Sequence, residues 1–130
     1  MIRISCTIFF LLASFFSAFS QHVNKLSATL NENTQEIKIQ QEFLYVNQSP
    51  DTLSVLYFND WANAYAHKDT PLAKRFADDF KKNLHLAAPE DRGATKLIGA
   101  VDQKYFSLPW WRTPSKDIIG ISLNTPLAPG

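Results

Sequence analysis

Cysteine is nearly absent from this 130-residue chain, and the single one, Cys6, lies inside an apolar N-terminal run. Residues 21–130 contain none, which excludes disulfides, thiolate nucleophiles and cysteine-bound metals from that stretch. Excess charge of one sign is missing too: the formal net charge is +1, and without Arg3 twelve basic residues face twelve acidic ones. Phosphate binding needs a clustered basic surface, and no block of like charge occurs, so a nucleic-acid partner is excluded. Absent as well are a Gly-x-Ser-x-Gly elbow, a phosphate loop, a dinucleotide fingerprint and an H-E-x-x-H pair. Adjacent acids occur as Asp78-Asp79 and Glu90-Asp91. Neighbours on a helix point in different directions, so the first pair reads as a solvated face and not as an acid/base dyad. The second favours the start of a helical turn. No catalytic residue is assigned.

What is present begins with a leader. Met1-Ile2-Arg3 precedes an apolar run from Ile4 to Phe19 that closes on Ala18-Phe19-Ser20. Positive start, apolar centre and small residues before the cut describe a secretory signal peptide over residues 1–20, cleaved between Ser20 and Gln21. The apolar run, roughly 16 residues, is shorter than the ~20 that span a bilayer, and no positive stop-transfer cluster follows. Cys6 sits too early for lipid attachment. The expected localisation is exported: periplasmic, cell-surface or extracellular, with no membrane association after cleavage. The remaining residues, 21–130, suffice for one domain.

Period two dominates the mature chain. Leu26, Ala28 and Leu30 alternate with Lys25, Ser27 and Thr29, which predicts a half-buried strand over 25–30. Asn31 to Thr34 form a turn by composition, and a second strand is predicted over 35–46, completing a β-hairpin. Its apolar face carries Ile37, Ile39, Phe43 and Tyr45. Residues 47–52 read as another turn. Asn47-Gln48-Ser49 matches a glycosylation acceptor, but Pro50 follows directly and weakens the match. Leu53 to Phe58 is apolar on both sides, which predicts a central strand. Residues 60–68 are a loop. Thr70 then caps and Pro71 opens a helix over 71–82, with Leu72, Phe76 and Phe80 as its stripe and Arg75/Asp79 and Asp78/Lys82 as outer pairs. Residues 89–93 are a turn or short helical turn, 94–101 a further strand, 105–112 irregular and aromatic, and 117–123 a last strand. Pro126 to Gly130 read as a turn towards another strand, leaving an unpaired edge prone to association. The class is mainly β with one inserted helix.

Metal and ligand candidates are few. His22, His67 and His85 stand 45 and 18 residues apart, without the i,i+4 or short spacing of zinc ligands, so they read as solvated surface residues and no metal site is assigned. Trp61, Tyr65, Trp110 and Trp111 fall in predicted loops. Loop aromatics stack on sugars or on peptide side chains, and equally they plug the ends of a β-sandwich; the plug is the favoured reading. In the other reading the chain is a free-standing exported β-sandwich that binds peptide or glycan through these four.

The run from Gln41 through Tyr45-Val46-Asn47-Gln48-Ser49-Pro50-Asp51-Thr52-Leu53 to Leu56-Tyr57-Phe58 resembles the opening of secreted bacterial zinc metallopeptidases of the aminopeptidase N type, which belong to the gluzincins. Trp61 to Tyr65 and Thr70 to Lys74 are similar to the loop and helix that follow there, and Leu123 to Gly130 to the P-L-x-P-G turn near the end of the stretch. The resemblance implies a partial, saddle-like N-terminal β-sandwich that walls one side of a substrate cleft. It also implies a zinc-dependent aminopeptidase as parent, with the zinc held by a catalytic domain absent from these 130 residues and acting as the partner. No functional residue of the family maps onto positions 1–130. The expected role is therefore structural, the chain being inactive alone.

Overall fold

The computed structural model describes residues 22–130, so the predicted leader, Cys6 and the cleavage site lie outside the described residues. The described chain divides between Val46 and Asn47 into two compact units. Among the described residues no helix is long and apolar enough to cross a membrane.

The first unit is a hairpin of β1 (Val23–Asn31) and β2 (Glu36–Leu44), antiparallel and in unbroken one-to-one register from Val23 opposite Leu44 to Asn31 opposite Glu36. The turn is built by Asn31, whose Oδ1 accepts the backbone N–H groups of Asn33 (3.1 Å) and Thr34 (3.4 Å). Gln35 closes it at a positive φ of 54°. Opposite residues in such a ladder share a face. Leu26, Ala28 and Leu30 therefore lie beside Ile37, Ile39 and Phe43, while Lys25, Lys38 and Glu42 occupy the other side. The alternation predicted from sequence is realised, with the second strand stopping at Leu44 short of the expected Val46, but the expected half-burial is corrected: every residue of both strands is exposed, because a two-stranded ladder has no layer of its own to pack on. At the open end His22 stacks on Tyr45, ring centroids 4.7 Å apart, and its Nδ1 accepts the Val46 N–H at 3.3 Å.

The second unit carries a three-stranded antiparallel sheet ordered β3 (Leu53–Asn59), β5 (Ile118–Leu127), β4 (Trp110–Arg112). The central strand is thus β5, and the expectation that Leu53 to Phe58 sits in the middle is corrected. Its two apolar faces are half-buried without a second strand beyond it, so face burial alone did not report its neighbours. Two more corrections concern the last third of the chain. Residues 94–101 form no strand, only an isolated bridge between Val101 and Ser107, whereas the stretch expected to be irregular contains β4. Pro126 and Leu127, read as a turn, belong to β5. Proline is tolerated there because the ladder slips: Leu53 pairs with Leu127 but Val55 with Ser122, so Ser54 alone faces Leu123 to Pro126.

Gly120 on β5 marks a close approach. Trp111 lies across it, and a Cβ at position 120 would meet Trp111 ring carbons at 2.5 Å. The indole also meets Tyr57 edge to face at 6.3 Å. Across one face of the sheet the order is therefore Tyr57, Gly120, Trp111.

The predicted helix is present but shorter. Thr70 caps α1 (Pro71–Asp78), its Oγ1 accepting the Ala73 N–H at 3.2 Å, with Pro71 as the first helical residue. The helix then ends in paired C-terminal bonds, Lys81 N–H to the Phe76 carbonyl (2.7 Å) and Phe80 N–H to the Ala77 carbonyl (3.0 Å), with Phe80 at φ 57°. This cut removes Phe80 from the expected stripe and leaves it 87 % exposed. It also redirects the expected outer pairs: Lys81 lies 3.7 Å from Asp79. A one-turn helix α2 (Asn83–Leu86) follows, and Pro89–Asp91 form the predicted short turn as a 3-10 segment. A left-handed conformation costs a side-chain-bearing residue about 1–2 kcal/mol. Phe80→Gly is accordingly expected to raise the unfolding free energy by about 1 kcal/mol in urea titrations, and an unchanged or lower midpoint would show that the phenylalanine is not strained there.

Fully packed apolar side chains are few among the described residues: Ala64, Ala73, Leu84 and Leu108 are buried. Beside them Asn47, Asp60, Asn63 and Thr70 are buried too, so polar bonding carries an unusual share of the interior. The class is mainly β, with two small sheets and little helix.

Candidate functional site

Chemistry-bearing side chains of the second unit gather at two places, both missed by reading the sequence for catalytic motifs. The first is Asn47, with no exposed surface. Its Nδ2 donates to the carbonyls of Asp51 (2.8 Å) and Leu127 (2.9 Å), and its Oδ1 accepts from the Ser49 N–H (3.0 Å) and hydroxyl (2.7 Å). Its own carbonyl accepts the Gly130 N–H at 3.0 Å. One amide thus uses both donors and both lone pairs, holding the turn before β3 to the end of β5. Both hydrogens of the amide nitrogen are committed in the folded chain, so at Asn47-Gln48-Ser49 the side chain serves the fold.

The second place is Asp60, at the end of β3. One carboxylate oxygen accepts from Thr95 Oγ1 and from Arg112 Nη1 of β4, and the other lies 3.4 Å from the Asn63 N–H. Arg112 also donates through Nη2 to the Thr95 carbonyl and hydroxyl, both at 3.0 Å, and through Nη1 to the Lys116 carbonyl at 3.3 Å. Asn63 completes the mesh, its Nδ2 donating to the Lys116 carbonyl at 2.6 Å. Three stretches distant in sequence are tied by one ion pair whose side chains are 22 % and 7 % exposed. Oδ2 takes two donors and Oδ1 one long contact, so the carboxylate ties these stretches together as a brace. Nearby, Lys116 Nζ meets Asp69 at 2.6 and 2.8 Å, and that hydrogen bond holds the exposed Asp69 carboxyl below its ordinary value of 3.8. Asp117 Oδ1 is buried without a hydrogen-bond partner, though its backbone carbonyl accepts the Asp60 N–H at 2.7 Å.

The histidines stay apart in role. His67 is exposed; His85, expected to be a solvated surface residue, is instead half-buried, its Nε2 at 2.8 Å from the Ala73 carbonyl, which can only accept and so places a proton on Nε2; His22 belongs to the hairpin. Among the described residues no group of three His, Cys, Asp or Glu side chains could hold a metal ion.

The four candidate aromatics occupy different surroundings. Trp111 is engaged with Gly120 and Tyr57, and Trp110, one residue along β4, occupies the opposite face of the sheet, level with Ile121. Neither lies in a loop, since both belong to β4. Trp61 precedes the 3-10 turn Asn63–Tyr65 and is 67 % exposed. Tyr65 meets Phe76 of α1 edge to face at 6.4 Å and lines an open groove of about 290 Å³ with Leu84, Ala87, Asp91 and Arg92. That volume is at the small end of ligand pockets, roughly 300–1,000 Å³. Its guanidinium is occupied, Arg92 Nη1 donating to the Ala66 carbonyl at 3.1 Å and Nε lying 3.4 Å from that of Ala88. Comparison of the chain with known protein families, with curated proteins and with solved structures finds no match.

Proposed function

We propose that the chain is a non-catalytic leading β-domain of an exported zinc metallopeptidase of the aminopeptidase N type. In this reading it forms part of a saddle-like sandwich that walls the substrate cleft of a separate catalytic domain, its partner. One observation supports it above others: residues that carry the resemblance at opposite ends of the second unit meet in space. Asn47 and Ser49 of the first motif bond each other, and Asn47 bonds Leu127 and Gly130 of the last. The Thr70-Pro71 motif likewise has a local purpose as a capped helix start. A sequence pattern that builds such a clasp serves architecture and needs no catalytic group in the same chain. Zinc, the peptide substrate and the proton-transfer chemistry fall to the partner domain.

The test is to read the coding DNA past codon 130 in all three frames. The expected continuation contains H-E-x-x-H with a further glutamate downstream, the ligand set of the catalytic domain. Unrelated sequence in every frame overturns the proposal. Binding of peptides or glycans at Trp61, the most exposed of the four aromatics, then becomes the reading to examine.

A further inference from the structure

On the three-stranded sheet, Gly120 of β5 stands between Tyr57 of β3 and Trp111 of β4. The indole lies across the glycine, its six-membered ring where a Cβ would be, and leaves Gly120 buried. The Tyr57 ring meets the indole at 87°, centroids 6.3 Å apart. Together the two rings make the floor and wall of a notch, and both remain open to solvent, Trp111 at 39 % and Tyr57 at 64 %. Strand alternation puts Val55, Asn59, Ile118 and Ser122 on the same face. The one charged residue of the three strands, Arg112, lies on the other face. We propose that this notch binds a proline-rich segment in the polyproline II conformation, with a pyrrolidine ring seated on the indole against the Tyr57 ring. All three residues belong to the second unit, and the inference does not rest on the reading of the chain as a metallopeptidase domain.

Hydrogen-bonding capacity selects this ligand. Among the described residues neither the Trp111 Nε1–H nor the Tyr57 hydroxyl has a hydrogen-bond partner. The first can only donate and the second can donate, so the notch calls for acceptors. A polyproline II segment supplies backbone carbonyls without N–H groups at its prolines, beside saturated rings that pack on aromatic faces. A sugar also presents a saturated ring. Its hydroxyls donate as well as accept, however, and are fixed by precisely placed polar side chains. Around the notch the strands place Asn59 and Ser122 but no carboxylate or guanidinium. A cationic side chain would stack on the indole too, yet no carboxylate on these strands shares the face to hold it.

Fixed geometry and small size set the strength. Gly120 beneath the indole and Tyr57 beside it hold the floor in place, so little side-chain freedom is lost when a ligand arrives. Polyproline II is extended and ordered before binding, which lowers the cost on the ligand's side as well. Two rings contact about one turn of such a segment, roughly three residues. Binding is therefore weak and rapidly exchanging, and it strengthens with the number of consecutive prolines, since each offers an equivalent register.

The experiment titrates the full chain with a blocked polyproline peptide of about ten residues, a blocked glycine-serine peptide of the same length and a cellulose-derived oligosaccharide, following heat and indole fluorescence. Saturable binding of polyproline alone is expected. Tyr57→Leu removes the wall and its hydroxyl at an exposed position and should weaken that binding by about tenfold, the loss of one anchoring contact, with the circular dichroism of the parent retained. Gly120→Ala drives a Cβ into the indole and should weaken binding as much while every aromatic side chain remains. Should Gly120→Ala fail to fold, Tyr57→Leu decides alone. Trp61→Phe, in the segment before the 3-10 turn, should leave binding unchanged. Absence of saturable polyproline binding overturns the proposal, as does equal binding of the glycine-serine peptide or an unaltered affinity in Tyr57→Leu. Oligosaccharide binding in place of polyproline assigns the rings to sugar and overturns it too, and loss of binding in Trp61→Phe puts the site elsewhere.

Discussion

Replacing Asn47 with alanine is expected to lower the unfolding free energy by about 2 kcal/mol, because it takes the amide donor away from two part-buried carbonyls. The carbonyls belong to Leu127 and to Asp51, and only the second keeps another donor in reach, Ser49 Oγ at 3.0 Å. An unsatisfied buried acceptor costs about 1–3 kcal/mol, whereas a made hydrogen bond contributes only about 1 kcal/mol net, so the stranded partners and not the lost bonds dominate the estimate. Asn47→Asp separates this from packing. Aspartate has nearly the same shape and keeps the acceptors for Ser49, but its carboxylate turns an oxygen towards the two carbonyls. If shape were what matters at position 47, Asn47→Asp would be harmless; the expected loss equals or exceeds that of Asn47→Ala. Urea titration of both variants measures it, and a shift within about 0.5 kcal/mol for either would show that the clasp is slack. The loss should also appear locally. Amide exchange at the paired ends of β3 and β5, near Leu53 and Leu127, should quicken more than exchange around Gly120.

Local periodicity was the part of this fold legible in the sequence. The hairpin follows from alternation over two runs and an Asx turn between them, and both causes act within a few residues. The helix start follows in the same way from Thr70 and Pro71. The helix end did not, because it is made at Phe80, where the left-handed position that glycine usually fills holds a phenylalanine that also continued the apolar stripe. Strand order was illegible for a related reason: Leu53 to Phe58 is apolar on both faces, and only the distant partner Ile118–Leu127 fixes which strand stands in the middle. β4 was hidden by its brevity, since three residues cannot display a period. As for the sites, a motif search looks for close spacing. Asp60, Thr95 and Arg112 are spread over more than half of the second unit, and nothing in their neighbours along the chain signals that they meet. Asn47 gave a faint signal through the Asn-x-Ser-Pro-Asp turn, in which the side-chain acceptor at Asn47 and the donor at Ser49 bond each other.

The ion pair between Asp60 and Arg112 gives the second large effect. Asp60→Ala is expected to cost about 3 kcal/mol, in line with removing one partner of a buried pair. The reason is asymmetric. The aspartate's removal leaves a guanidinium 22 % exposed with only the Thr95 and Lys116 oxygens to bond, and a cation held by neutral acceptors in a partly dry site is poorly compensated. Arg112→Met should cost a similar amount, since it leaves the carboxylate, 7 % exposed, with Thr95 and Asn63 alone. The double variant, Asp60→Ala with Arg112→Met, buries no unpaired charge. It should therefore be more stable than the sum of the single losses implies, by about 1–3 kcal/mol. Additive losses would mean that the two side chains contribute separately, through packing, and that the pair itself stabilises nothing. Salt sharpens the contrast. The difference between Asp60→Ala and the parent should hold as ionic strength rises, because a pair shielded from solvent is little screened. The bond between Lys116 and Asp69, whose side chains are 34 % and 64 % exposed, should weaken over the same range. Such behaviour would identify the interior pair as the brace that joins β3, β4 and the segment around Thr95, where the apolar core of this unit is too small to hold them unaided.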